Sequence, residues 1–104
     1  MMKRVIYIDT SNNKVIKVSL AIDDKEDLIE REIDYRKAQV VLPIVEELLK
    51  KYQLTLQDLS EIKVNSGPGS FTGVRVGVAI ANTLGWLLKI PVNGRTTPIE
   101  PVYS

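Results

Sequence analysis

Asn65-Ser66-Gly67-Pro68-Gly69-Ser70-Phe71-Thr72-Gly73-Val74-Arg75-Val76-Gly77 joins the end of an apolar strand to the start of an apolar helix. Ile62 and Val64 belong to a short apolar run that stops at Gly67-Pro68-Gly69. Glycine opens backbone angles closed to other residues and proline removes a donor, so a tight turn must follow. Ser70 or Thr72 then stands where a helix N-cap belongs, its hydroxyl able to accept from a first-turn N–H, and the apolar pattern runs on to Leu88. A strand, glycine turn and helix in this order aim backbone N–H groups and the positive end of a helix dipole at one spot. The turn therefore either receives an anion or simply packs strand against helix. It is not a Walker loop, because no Gly-Lys-Ser/Thr closes it, and the spacing of Gly67, Gly69 and Gly73 does not fit the dinucleotide fingerprint.

The helix beyond the turn carries Gly73, Gly77, Ala81 and Gly85 at four-residue intervals, a stripe almost free of side chains. Each interior glycine costs about 1 kcal/mol against alanine, which close approach to a sheet or to another helix can offset. The opposite face, with Val76, Ile80, Thr83 and Leu87, is also apolar enough to be covered. Arg75 and Asn82 interrupt the run and Lys89 closes it, so it does not read as a membrane span. Arg75 reads as a structural cation and Trp86 as a core residue.

The 104 residues bound the chain to one domain with one core, and a net charge of +1 from 14 basic and 13 acidic residues leaves no electrostatic footprint for nucleic acid. Neither cysteine nor histidine occurs. Disulfides, thiolate chemistry, histidine acid–base catalysis and the usual zinc sites are thereby removed. Met1-Met2-Lys3-Arg4 runs into a strand-like segment and not into a signal-peptide apolar core, so a cytoplasmic protein is expected.

Taken in order, Arg4 to Asp9 reads as a buried strand ending in the polar turn Asp9-Thr10-Ser11-Asn12-Asn13. Val15 to Ile22 and Leu28 to Ile33 complete an antiparallel meander. The period then changes: Ala38, Val41, Leu42, Val45, Leu48, Leu49 and Tyr52 fall at helical spacing, with Glu46/Lys50 and Glu47/Lys51 on the solvent side. Val40 and Ile44 widen the apolar arc beyond what one sheet needs, and Pro43 should bend the helix near Gln39. A short helical turn over Thr55–Leu59, a fourth strand at Glu61–Asn65, the glycine turn, the second helix and a fifth strand at Ile90–Gly94 follow. The expected order is β-β-β-α-β-α-β in an α/β fold, a mixed sheet with two crossover helices. Residues 1–94 form the expected lobe and 95–104 a proline-spaced edge segment or loose tail.

Ile6-Tyr7-Ile8-Asp9-Thr10-Ser11, Leu42-Pro43-Ile44-Val45-Glu46-Glu47-Leu48-Leu49, the segment from Gly67 to Gly77 and Ile90-Pro91-Val92-Asn93-Gly94 together resemble the TsaB (YeaZ) family of bacterial tRNA threonylcarbamoyladenosine (t6A) modification. The resemblance implies an RNase-H-like, actin-like ATPase lobe in a non-catalytic paralogue that supports the catalytic TsaD alongside the ATPase TsaE. It implies pairing with TsaD, or with a second copy as a homodimer, through the two helices. On this chain the corresponding residues are Val40, Ile44 and Glu47 on the first helix and Thr72, Val76, Ile80 and Thr83 on the second. Asp9, Thr10 and Ser11 occupy the first phosphate-loop position of such a lobe, and Ser66, Gly67, Gly69, Ser70 and Thr72 of the glycine turn are the other candidate phosphate or anion residues. An actin-like cleft needs two lobes, so no cofactor is expected from this lobe alone, and ATP or ADP is expected only within a complex. tRNA is expected only through the complex, and no metal is expected. Two departures stand out: the second lobe normal in the family does not follow this one in the sequence, and Lys37 replaces a histidine common at the start of the first helix; the metal-binding histidines of TsaD are absent as well.

Two other functions compete with a scaffold. One is a minimal actin-fold nucleotide-binding or phosphotransfer protein using Asp9 and the Gly67–Gly73 turn, against which Asp9 also reads as a plain strand-end turn residue. The other is a self-associating domain.

Overall fold

The computed structural model describes residues 2–33 and 37–102. Its elements are β1 (Arg4–Asp9), β2 (Val15–Ile22), β3 (Lys25–Glu32), α1 (Lys37–Lys51), a 3-10 turn at Leu56–Asp58, β4 (Glu61–Val64) and α2 (Phe71–Leu88). The sheet order is β3-β2-β1-β4, with β1 antiparallel to β2, β2 antiparallel to β3, and β1 parallel to β4. This is the mixed α/β sheet expected from the change of hydrophobic period.

Strand alternation decides which residues meet the helices. Ile6, Ile8, Ile16, Val18, Leu20, Ile62 and Val64 form one buried set, and α1 (Val41, Ile44, Val45, Leu48, Leu49) and α2 (Val74, Val78, Ala81, Leu84) close over it. Helix α1 lies over β2 and β3, α2 lies over β4 and β1, and the two helices touch. The intervening positions point the other way. There Lys63 lies opposite Tyr7, Tyr7 opposite Ser19 and Ser19 opposite Leu28, the last half exposed. At the edge, Asp27 of β3 accepts from Lys51 Nζ and Tyr52 Oη at 2.7 Å each, tying the end of α1 to the sheet. Pro43 sits inside α1 on its exposed side.

Three expectations are corrected. The fifth strand reduces to single bridges through Val92, which pairs parallel with Ile62 and antiparallel with Arg95. Asn93 (φ 51°) and Gly94 (φ 76°) turn the chain immediately after Val92, so no ladder can extend. The side-chain amide of Asn93 continues the pairing instead: Val64 N donates to its Oδ1 at 2.8 Å and its Nδ2 donates to Val64 O at 3.1 Å. Residues 95–102 are not a loose tail. Ile99 is buried in the core, Asn82 of α2 bonds both its N–H and its carbonyl at 2.9 Å, and Val102 N donates to Ser66 O at 2.6 Å. The third correction is Trp86, which is 79% exposed. It follows Arg75 and Ala79 by eleven and seven residues, and both of those face solvent, so helical periodicity carries it outward.

Candidate functional site

The glycine turn sits at the C-terminal end of β4, beside the C-terminal end of its parallel neighbour β1. Asn65 N donates to Ile8 O at 2.9 Å, which carries the strand pairing into the turn. Gly67 (φ 111°, followed by a cis bond to Pro68) and Gly69 then reverse the chain. Both glycines are needed for contact: a Cβ at Gly67 would strike the carbonyl of Val102, and one at Gly69 would lie 2.8 Å from Ser11 Cβ. Ser70 is the N-cap of α2, accepting from Gly73 N at 3.2 Å, while Thr72 lies exposed within the first turn.

The structure brings the two candidate phosphate-loop segments together, and their polar groups are largely turned upon one another. Asp9 Oδ1 accepts from Ser11 N at 3.0 Å and from Ser11 Oγ at 2.6 Å. Asn65 Nδ2 donates to Ser11 Oγ at 3.2 Å, and its Oδ1 accepts from Gly67 N at 3.0 Å. Ser70 N donates to Ser11 O at 3.3 Å, and the buried Thr10 Oγ1 donates to Gly73 O at 2.5 Å. Burial pushes the Asp9 carboxyl upward, but hydrogen bonds from Ser11 and Asn65, with the charge of Lys17, outweigh it and hold it below the ordinary value of 3.8. Asp9 therefore stays an anion facing these donors, an arrangement that ties β1 to the turn. No group of three or more potential metal ligands occurs among the described residues.

The small-residue stripe faces inward. A Cβ on Gly77 would meet Thr10 Oγ1 and approach Val64 Cγ2 at 3.4 Å, and one on Gly85 would meet Val92 Cγ2. Gly73 and Ala81 are buried in the same row. The stripe is thus helix-on-sheet packing, and the surface left to a partner is the reverse of α2. There Thr72 and Thr83 are exposed and Val76 and Ile80 half buried, continued by Trp86 and by Leu87 at 59% exposure. Trp86 and Leu87 border a groove of about 490 Å³ with Gly85, Lys89, Ile90 and Thr96.

On α1 the predicted contact residues separate. Ile44 is fully buried against the sheet, so it belongs to the core and offers a partner nothing. Val40 is half buried, and Glu47 is exposed and paired with Arg31 at 3.3 Å. Leu42, one-third exposed, adds an apolar position that the spacing alone assigned to the core. The sequence reading placed Leu87 on this outer face but missed Trp86 as its end, although the spacing of Trp86 from Thr83 carried the signal.

The structure is thus a lobe whose parallel pair ends in two facing turns, with two helices packed on one side. The family model described as "TsaD: tRNA N6-adenosine threonylcarbamoyltransferase" matches residues 32–96, and the chain belongs to that family. Within it the chain stands with the TsaB (YeaZ) members. It is similar to "tRNA threonylcarbamoyladenosine biosynthesis protein TsaB" of Bacillus subtilis (strain 168), 40% identical over 92 residues that cover 86% of this chain and 39% of that protein. The protein of the same description from Escherichia coli (strain K12) is 32% identical over 94 residues, 90% of this chain and 40% of the other. Among solved structures, YeaZ from Pseudomonas aeruginosa superposes with a TM-score of 0.81 at 31% identity, over 88% of this chain and 42% of that one. The chain spans about two-fifths of the length of these relatives. The Bacillus subtilis and Escherichia coli relatives are both described as threonylcarbamoyladenosine biosynthesis proteins. No helix of the described residues is long and apolar enough to cross a membrane.

Proposed function

We propose that this chain is a non-catalytic subunit of the t6A machinery that binds a TsaD-type partner through the outer face of α2. The observation that carries this reading is the continuous row of Thr72, Val76, Ile80, Thr83, Trp86 and Leu87, whose apolar members include the most exposed aromatic described. A large exposed apolar surface is costly to leave in water, and an exposed Trp flanked by aliphatic neighbours is the usual anchor of a protein interface. Val40 and Leu42 on α1 widen the same apolar provision. Catalysis by the chain itself is disfavoured by the lack of histidine and cysteine and by an Asp9 carboxylate already engaged by Ser11. In this reading ATP or ADP, a TsaE-type ATPase and tRNA meet the chain only through the assembled complex.

The test is light scattering on the chain alone and mixed with the TsaD-type threonylcarbamoyltransferase of the same organism. A mixed complex is expected, and Val76→Glu with Ile80→Glu should reduce its affinity by about a hundredfold or more while the far-ultraviolet spectrum stays folded. A complex unaffected by both charges would remove α2 as the contact. Self-association lost in the same variant, with no mixed complex, would assign the face to a second copy.

A further inference from the structure

The geometry points to Asn93-Gly94 as a deamidation site that the fold holds shut, so that its conversion breaks the clasp at the end of β4. Succinimide formation requires the main-chain nitrogen after an asparagine to reach that asparagine's own side-chain carbon, and glycine in the following position leaves the approach open. Gly94 supplies this: it is exposed, at φ 76°, with nothing within 4 Å of where a Cβ would stand. The Asn93 amide is engaged at both ends, accepting from Val64 N at 2.8 Å and donating to Val64 O at 3.1 Å. Asn93 N is also fixed, donating to Ile62 O at 2.9 Å. The side chain that must swing toward Gly94 is thus the one that completes the sheet, and reaction requires this clasp to open first.

In the reaction the Gly94 nitrogen bonds to Asn93 Cγ, the Cγ–Nδ2 bond breaks, and ammonia leaves with the proton lost from the Gly94 nitrogen. Water then opens the five-membered imide at one of its two carbonyls, giving aspartate or isoaspartate. Neither product can rebuild the clasp. Aspartate has no Nδ2 donor and sets a carboxylate oxygen against the Val64 carbonyl, an acceptor facing an acceptor. Isoaspartate adds a main-chain carbon between residues that now pair with Ile62 and bridge Val92 to Arg95. Val64 is the last residue of β4, immediately before Asn65 and the glycine turn, so the change falls on the support of that turn.

The full chain is incubated in mildly alkaline buffer, folded and in concentrated urea, and peptide mapping by mass spectrometry follows ammonia loss at residue 93 against Asn65-Ser66 as an internal reference. Conversion at Asn93 is expected roughly tenfold or more faster in urea than in buffer, with the converted chain melting at a lower temperature after refolding. Equal rates folded and unfolded, or an unchanged melting temperature after conversion, would overturn the proposal, as would no conversion in urea. Asn93→Asp gives a second readout. It should exchange its Val64 amide at least several-fold faster than the parent, and an unchanged Val64 amide would count equally against the clasp.

Discussion

At the scale of single residues, two contacts set the behaviour of the site region. Gly77→Ala introduces a methyl group into space occupied by Thr10 Oγ1, and that hydroxyl cannot rotate away without leaving the Gly73 carbonyl. Alanine gains about 1 kcal/mol of helix propensity, while overpacking a closed site costs about 1–3 kcal/mol. Gly77→Ala should therefore lower the melting temperature, and Thr10→Ala in the same chain should recover part of the loss, a coupling that a double-mutant cycle measures. Asp9 contributes to acid stability. Its pKa in the fold lies below the ordinary value of 3.8, so its contribution is complete above that value and disappears as pH falls through the folded pKa. Asp9→Asn should be less stable than the parent near neutrality, and the gap in melting temperature should close on acidification. A gap independent of pH would mean that the Ser11 bonds act without help from the charge.

At the scale of elements, the strap over residues 95–102 hangs on one helix residue. Asn82→Ala removes both bonds to Ile99 and should cost about 1–2 kcal/mol. Hydrogen exchange at the Ile99 amide should rise sharply while the middle of α2 keeps its protection. Local regularity explains why most of the layout was legible in the sequence. The continuous apolar run of β1, the partial 2-residue alternation of β2, the change to helical period near Ala38, and the Gly67-Pro68-Gly69 break are signals within a few residues of chain, and these elements appear where those signals put them. What was not legible depends on partners far along the sequence. Asn82 meets Ile99 across 17 positions and Asn93 meets Val64 across 29, and a side-chain amide imitating backbone leaves no periodic trace. Val92 misled for the same reason, since Ile90-Pro91-Val92 looks like the start of a strand until Asn93 turns it aside. Ile44 and Trp86 were misassigned differently: Ile44 was put on the partner face by the family resemblance and Trp86 in the core by its type, where a count of turns along the helix separates them.

At the scale of the whole molecule, one face of the sheet is thickly covered by two helices, and the outward side of one helix is left apolar. The resulting prediction, loss of association on charging Val76 and Ile80 without loss of fold, concerns what this body presents and not how it is built. The small-residue row on α2 decides how firmly that surface is presented. Gly77 and Gly85 are eight residues apart, about 12 Å along the axis, and receive Thr10 and Val92 respectively. If the helix slid by four residues, one direction would bring Ala81 over Val92 and the other would bring Ala81 over Thr10. The methyl of Ala81 would then fill a notch in either case. The helix behaves as a keyed shaft with one seating, so a protein that grips its outer side takes hold of β1 and β4 as well and must move the lobe as a unit.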